Sequence, residues 1–68
     1  MTIKVDNQEY QVFLGDDGTM DTLVVIDGTE VRYDSEYAAS YRDQETGEMT
    51  EAGLKELAIE AIQDGYYF

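Results

Sequence analysis

The segment "TLVVIDGTEVRY", residues 22–33, constrains this chain more than any other. Asp27-Gly28 sits between two apolar runs. A two-residue type I′ turn needs positive φ at both positions, and Asp-Gly is among the dipeptides that supply it with least strain. The segment is therefore expected to be a β-hairpin. "TLVVI" is a continuous apolar run and reads as a central strand covered on both faces. "TEVRY" alternates, with Thr29, Val31 and Tyr33 inward and Glu30 and Arg32 outward. Upstream, Ile3 and Val5 of "TIKV" share one face. "DNQ" is a turn candidate, because Asp and Asn side chains stabilise turns and tolerate left-handed backbone. "EYQVFL" follows, with Tyr10, Val12 and Leu14 on one face and Phe13 on the other. "GDDGTMD" suits a longer turn.

The second half, residues 34–68, reads mainly as helix. Asp34 or Ser35 can cap a short helix running to about Arg42. Glu36 would lie in its first turn and Arg42 in its last, as the helix dipole prefers. Tyr33, Tyr37 and Tyr41 recur every four residues, which aligns them on a helix or on a strand alike. "DQETGE" is a polar loop. "TEAGLKELAIEAIQDG" carries the clearest helical stripe, with Leu54, Leu57, Ala58, Ala61 and Ile62 on one face. Thr50 is its N-cap and Gly65 falls just past its end. The expected fold is a single α+β domain over residues 1–68. It is a small antiparallel sheet of three or four strands in a hairpin meander, packed against a C-terminal amphipathic helix at about 51–64, with a possible short helix near 35–42. Leu23, Val25, Val12, Leu54, Leu57 and Ile62 are expected in the core, with Tyr10, Phe13 and Tyr33. The closing "YYF" either folds back beneath the helix or joins an interface.

Function is narrowed mostly by exclusion. The chain holds 16 acids, 4 bases and neither histidine nor cysteine. Disulfides and thiolate metal sites are excluded. Ser35 and Ser40 have no imidazole partner, so nucleophilic triads are absent and no enzyme is expected. Acidic clusters at Asp16, Asp17 and Asp21, and at Asp43, Glu45, Glu48 and Glu51, supply oxygen ligands but not the alternating spacing of an EF-hand; they read as polar turns, and no cofactor or metal is expected. No secretory signal or membrane span is read, so the expected location is cytoplasmic. A net charge of −12 repels nucleic acid and anionic lipid, so direct nucleic-acid or membrane binding is not expected, and a basic protein is the natural complement.

Glu56, Glu60 and Asp64 repeat every four residues on the helix side away from Leu54, Leu57 and Ala61. Neighbours at that spacing lie about 6 Å apart, and like-charge pairs there cost about 0.2–0.5 kcal/mol each. Such a row approximates a phosphate strand in sign and pitch. The candidate partner-binding residues are accordingly Glu56, Glu60 and Asp64, with Asp34, Glu36 and Asp43 as a second patch and Tyr37 and Tyr41 as apolar anchors. In size and charge across the chain, the profile is similar to small acidic phage or mobile-element proteins that block nucleic-acid-binding machinery, such as anti-CRISPR inhibitors and other DNA mimics. That likeness rests on no motif and assigns no residue a role. It implies a small acidic inhibitor whose partner carries a basic nucleic-acid-binding surface. Two alternatives stay open: adaptation of a halophile's protein to high salt, and an antitoxin-like inhibitor of a basic nuclease.

Overall fold

The computed structural model describes residues 1–16 and 18–65. Four strands come first: β1 (Thr2–Val5), β2 (Gln8–Gly15), β3 (Thr22–Ile26) and β4 (Thr29–Tyr33). Two helices follow, α1 (Ser35–Ala39) and α2 (Glu51–Asp64). The sheet is an antiparallel meander in the order β1-β2-β3-β4, so every strand pairs with its neighbour in sequence. The α+β architecture expected from the sequence is the one observed.

Both tight hairpins have the backbone their turn residues allow. Asp27 (φ 48°) and Gly28 (φ 84°) join β3 to β4, pairing Ile26 with Thr29. Asp6 (φ 51°) and Asn7 (φ 66°) join β1 to β2, so Gln8 already lies in the strand, opposite Val5. Positive φ at both central residues gives the type I′ twist that matches a right-handed sheet. β2 changes partner along its length. Residues Gln8 to Gln11 pair with β1, whereas Val12 to Gly15 pair with β3. Between β2 and β3, Asp16 Oδ1 accepts from the Gly18 N–H at 2.9 Å, and Arg32 ties back to Asp21 at 3.6 Å and to Thr19 Oγ1 at 3.2 Å.

Alternation along the strands places Ile3, Val5, Tyr10, Val12, Val24, Ile26, Val31 and Tyr33 on the face that α2 covers. From α2 come Leu54, Leu57, Ala58, Ala61 and Ile62. Thr50 caps α2, its Oγ1 accepting from the Gly53 N–H at 2.9 Å, and Gly65 closes the helix in left-handed conformation at φ 81°. Gly53 is required by proximity: a Cβ there would sit 2.0 Å from the Tyr41 carbonyl oxygen.

Several expectations from sequence are corrected. β3 is central but covered on one face only. Val25 points to the open face and is half-buried, so it is not core. Leu23 is buried on that same open face because Gly15, its partner in β2, has no side chain, and a Cβ at Gly15 would lie 2.9 Å from Leu23 Cδ2. Phe13 is 57% exposed, so it is not core. Thr29 abuts the turn and is exposed. The short helix stops at Ala39, and Arg42 lies outside its last turn. The backbone instead enters a loop in which Arg42 bridges Met49. Asp17 and the "YYF" tail lie outside the described residues.

Candidate partner-binding site

The sequence places three tyrosines four residues apart, and the fold distributes them over three settings: Tyr33 ends β4, Tyr37 lies in α1, and Tyr41 follows it. They nevertheless remain in line. The Tyr33 and Tyr37 rings stack with centroids 5.7 Å apart, and Tyr37 meets Tyr41 at 5.8 Å in a tilted arrangement. Each reaches α2 through its hydroxyl. Tyr33 donates to the Leu57 carbonyl at 3.0 Å inside the core. Tyr37 donates to Glu60 Oε1, and Tyr41 donates to Glu60 Oε2 at 3.1 Å. One carboxylate thus receives two phenol donors, which fastens the 35–41 segment to α2. The bond to Glu60 is the main reason that the Tyr37 hydroxyl is held well above the usual tyrosine range, with the neighbouring Tyr41 hydroxyl adding to it. A carboxylate acceptor favours the protonated phenol.

This network lines an open groove of about 510 Å³ bounded by Glu30, Arg32, Tyr33, Asp34, Tyr37 and Glu60. The groove runs beside the edge strand β4, with the stacked tyrosines in its wall. Asp34 enters it as the N-cap of α1, its Oδ2 accepting from the Glu36 N–H at 3.1 Å. Three of the residues expected to bind a partner, Asp34, Tyr37 and Glu60, are therefore brought together, one drawn from each patch and one from the aromatics. Tyr41 adjoins them through Glu60.

The others are dispersed. Glu56 and Asp64 are exposed on α2 and do not line the groove, and Glu36 is exposed on α1. Glu60 is half-buried and hydrogen-bonded, unlike Glu56 and Asp64, so the acidic row is not a uniform solvated edge. Asp43 organises the 43–48 loop: its Oδ1 accepts from the Glu45 N–H at 2.8 Å and the Thr46 N–H at 3.1 Å. Those two backbone donors hold its carboxyl below the usual aspartate range.

Sequence reasoning missed Glu30, Arg32 and the bracing role of Arg42, whose guanidinium donates to the Gly47 carbonyl at 3.1 Å and to Thr22 Oγ1 at 3.0 Å. Glu30 and Arg32 were legible as outward-facing, but only the packing of α1 and α2 beside β4 turns that edge into a concavity. Among the described residues no group of acidic side chains is arranged to hold a metal ion, and no helix is long and apolar enough to cross a membrane. Comparison with known protein families, with characterised proteins and with solved structures finds no match to this chain.

Proposed function

We propose that this chain is a small acidic binding module that inhibits a protein by occupying its basic, nucleic-acid-binding surface. The observation that carries the proposal is the β4 groove, whose lining joins the carboxylates of Glu30, Asp34 and Glu60 to the partly exposed Tyr37 ring, with Arg32 the one base among them. Carboxylates at the rim oppose lysine and arginine groups that otherwise hold phosphates, and the tyrosine provides an amphipathic anchor. Glu56, Asp64 and Glu36, exposed on the helices, extend the negative field beyond the groove. Such a field acts mainly on association rate and fades as salt screens it.

The test is capture of the partner from the native host, followed by competition with nucleic acid. Excess duplex DNA or RNA is expected to displace the captured protein. The Glu30→Gln/Asp34→Asn double variant keeps side-chain shape and a capping-competent residue at position 34. It is expected to weaken capture more than Glu56→Gln/Asp64→Asn, which changes the same number of charges outside the groove. A partner retained equally well under excess nucleic acid refutes the mimicry. A folded wild-type domain in dilute buffer, with binding that weakens as salt rises, separates this function from a halophile's solvent adaptation.

A further inference from the structure

β4 is the sheet edge that borders the groove, and among the described residues it pairs with β3 alone. Register fixes which of its peptide groups face outward. The Asp27 N–H donates to the Gln11 carbonyl at 2.8 Å, flanking the Val12–Ile26 pair. Val12 and Ile26 therefore exchange no hydrogen bonds with each other, and the Ile26 peptide groups turn to β4 and meet Thr29 across the two-residue turn. Alternation along β4 then turns the N–H and C=O of Glu30 away from β3. Those two groups have no backbone partner among the described residues. The groove beside them holds three carboxylates, Glu30, Asp34 and Glu60, none of which has an ion-pair partner among the described residues. Arg32, the one base in the lining, is already bonded to Asp21 and Thr19. The opposite edge, β1, presents an exposed Lys4, which repels a basic strand and guards that edge.

We propose that the edge of β4 takes up an extended, lysine- and arginine-rich segment of the partner as a fifth, antiparallel strand, an inference that rests on the function proposed above and specifies how the groove is filled. Strand addition satisfies the Glu30 peptide groups and sets the incoming chain about 4.8 Å from β4. The residue opposite Glu30 exchanges both peptide hydrogen bonds with it and shares a sheet face with its carboxylate, where arginine or lysine is the complement. Side chains alternate, so the next residue, opposite Val31, turns toward the α2 side and enters the groove beside Tyr37 and Glu60. Both faces of the incoming strand thus meet a carboxylate. A folded basic surface resting on the rim alone would leave the Glu30 peptide groups to water.

The probe is an acetylated, amidated peptide of alternating arginine and valine, about eight residues long, titrated into the isotope-labelled full chain at about 50 mM salt. It is expected to protect the Glu30 amide from hydrogen exchange and to shift the Tyr37 ring. Two further peptides are N-methylated at every arginine or at every valine, with charge unchanged. N–H groups of alternate residues share one strand edge, so only arginine methylation removes the donors that face Glu30. It is expected to weaken binding at least tenfold more than valine methylation does. The protein itself is unaltered throughout, so folding does not enter the comparison. Equal affinity of the two methylated peptides overturns strand addition and leaves a site that reads charge alone. A peptide that fails to protect the Glu30 amide, or that shifts only Glu56 and Asp64, overturns it as well. Protection that rises with protein concentration in the absence of peptide assigns the edge to a second copy and overturns it too. None of these outcomes removes the mimicry, which fails separately if the captured host partner resists displacement by excess nucleic acid.

Discussion

Gly53 decides whether the first turn of α2 can dock. Alanine is the better helix former by about 0.8–1 kcal/mol. Against that, its Cβ would fall 2.0 Å from the Tyr41 carbonyl oxygen and 3.1 Å from Met49 Sδ. Backbone must move to admit it, and overpacking of this kind costs about 1–3 kcal/mol. The clash outweighs the propensity, so Gly53→Ala is expected to lower stability in urea titration even though it improves the isolated helix. Tyr37 gives a second prediction, in pH. Its folded hydroxyl is held above the ordinary value of 10.0 by Glu60. The bond therefore contributes fully below about pH 10 and is lost as pH rises through the higher folded value. Tyrosinate absorbance should show one tyrosine ionising late, and Glu60→Gln should return it toward the normal range. The i, i+4 spacing of Tyr33, Tyr37 and Tyr41 was visible in the sequence. Their convergence on Glu60 was not, because it depends on α1 lying against a helix 19 or more residues away.

At the scale of elements, the strands and α2 were legible because each is specified locally. Asp27-Gly28 sets one turn, alternation sets the faces, and Thr50 and Gly65 bound the helix. Leu57 illustrates how such a pattern becomes stability. It is fully buried, and its carbonyl also accepts the Tyr33 hydroxyl. Leu57→Ala should cost about 2–5 kcal/mol, read as a lowered denaturation midpoint, which is a large fraction of what a domain this small possesses. The short helix was less legible. Alanines favoured continuation to Arg42, but Asp43 draws the Glu45 and Thr46 N–H groups into a loop, and Arg42 is recruited to Thr22 at the end of β3. Local propensity gave way to tertiary hydrogen bonds. Sidedness was misread for a related reason: a continuous apolar strand suggests two covered faces, and here Gly15 lets Leu23 bury itself without a second layer.

At the scale of the whole molecule, charge is unevenly distributed. Acids outnumber bases 16 to 4, and Arg32 on the strands' outer face is already paired with Asp21. Stability should therefore rise modestly as salt goes from about 10 mM to about 150 mM and then level off, as self-repulsion is screened. Thermal denaturation across that series checks it; a requirement for molar salt would contradict it. The nearest-neighbour meander has a consequence in time as well. Each strand finds its partner across a short stretch of chain, and the two tight turns close loops of minimal length. Pairing within the sheet is thus local, whereas α2 must reach back across the chain to cover β1, so folding belongs with mixed α/β domains, slower than helical bundles. The strand that changes partner midway adds a further distinction. β1 pairs with only the first half of β2, so its ladder can open, at the cost of lifting Ile3 and Val5 out of the core, while β2 to β4 stay joined. Its amides should exchange with solvent through a cheaper opening than those of Val24 and Val31, making the N-terminal hairpin a separate cooperative unit of the native state.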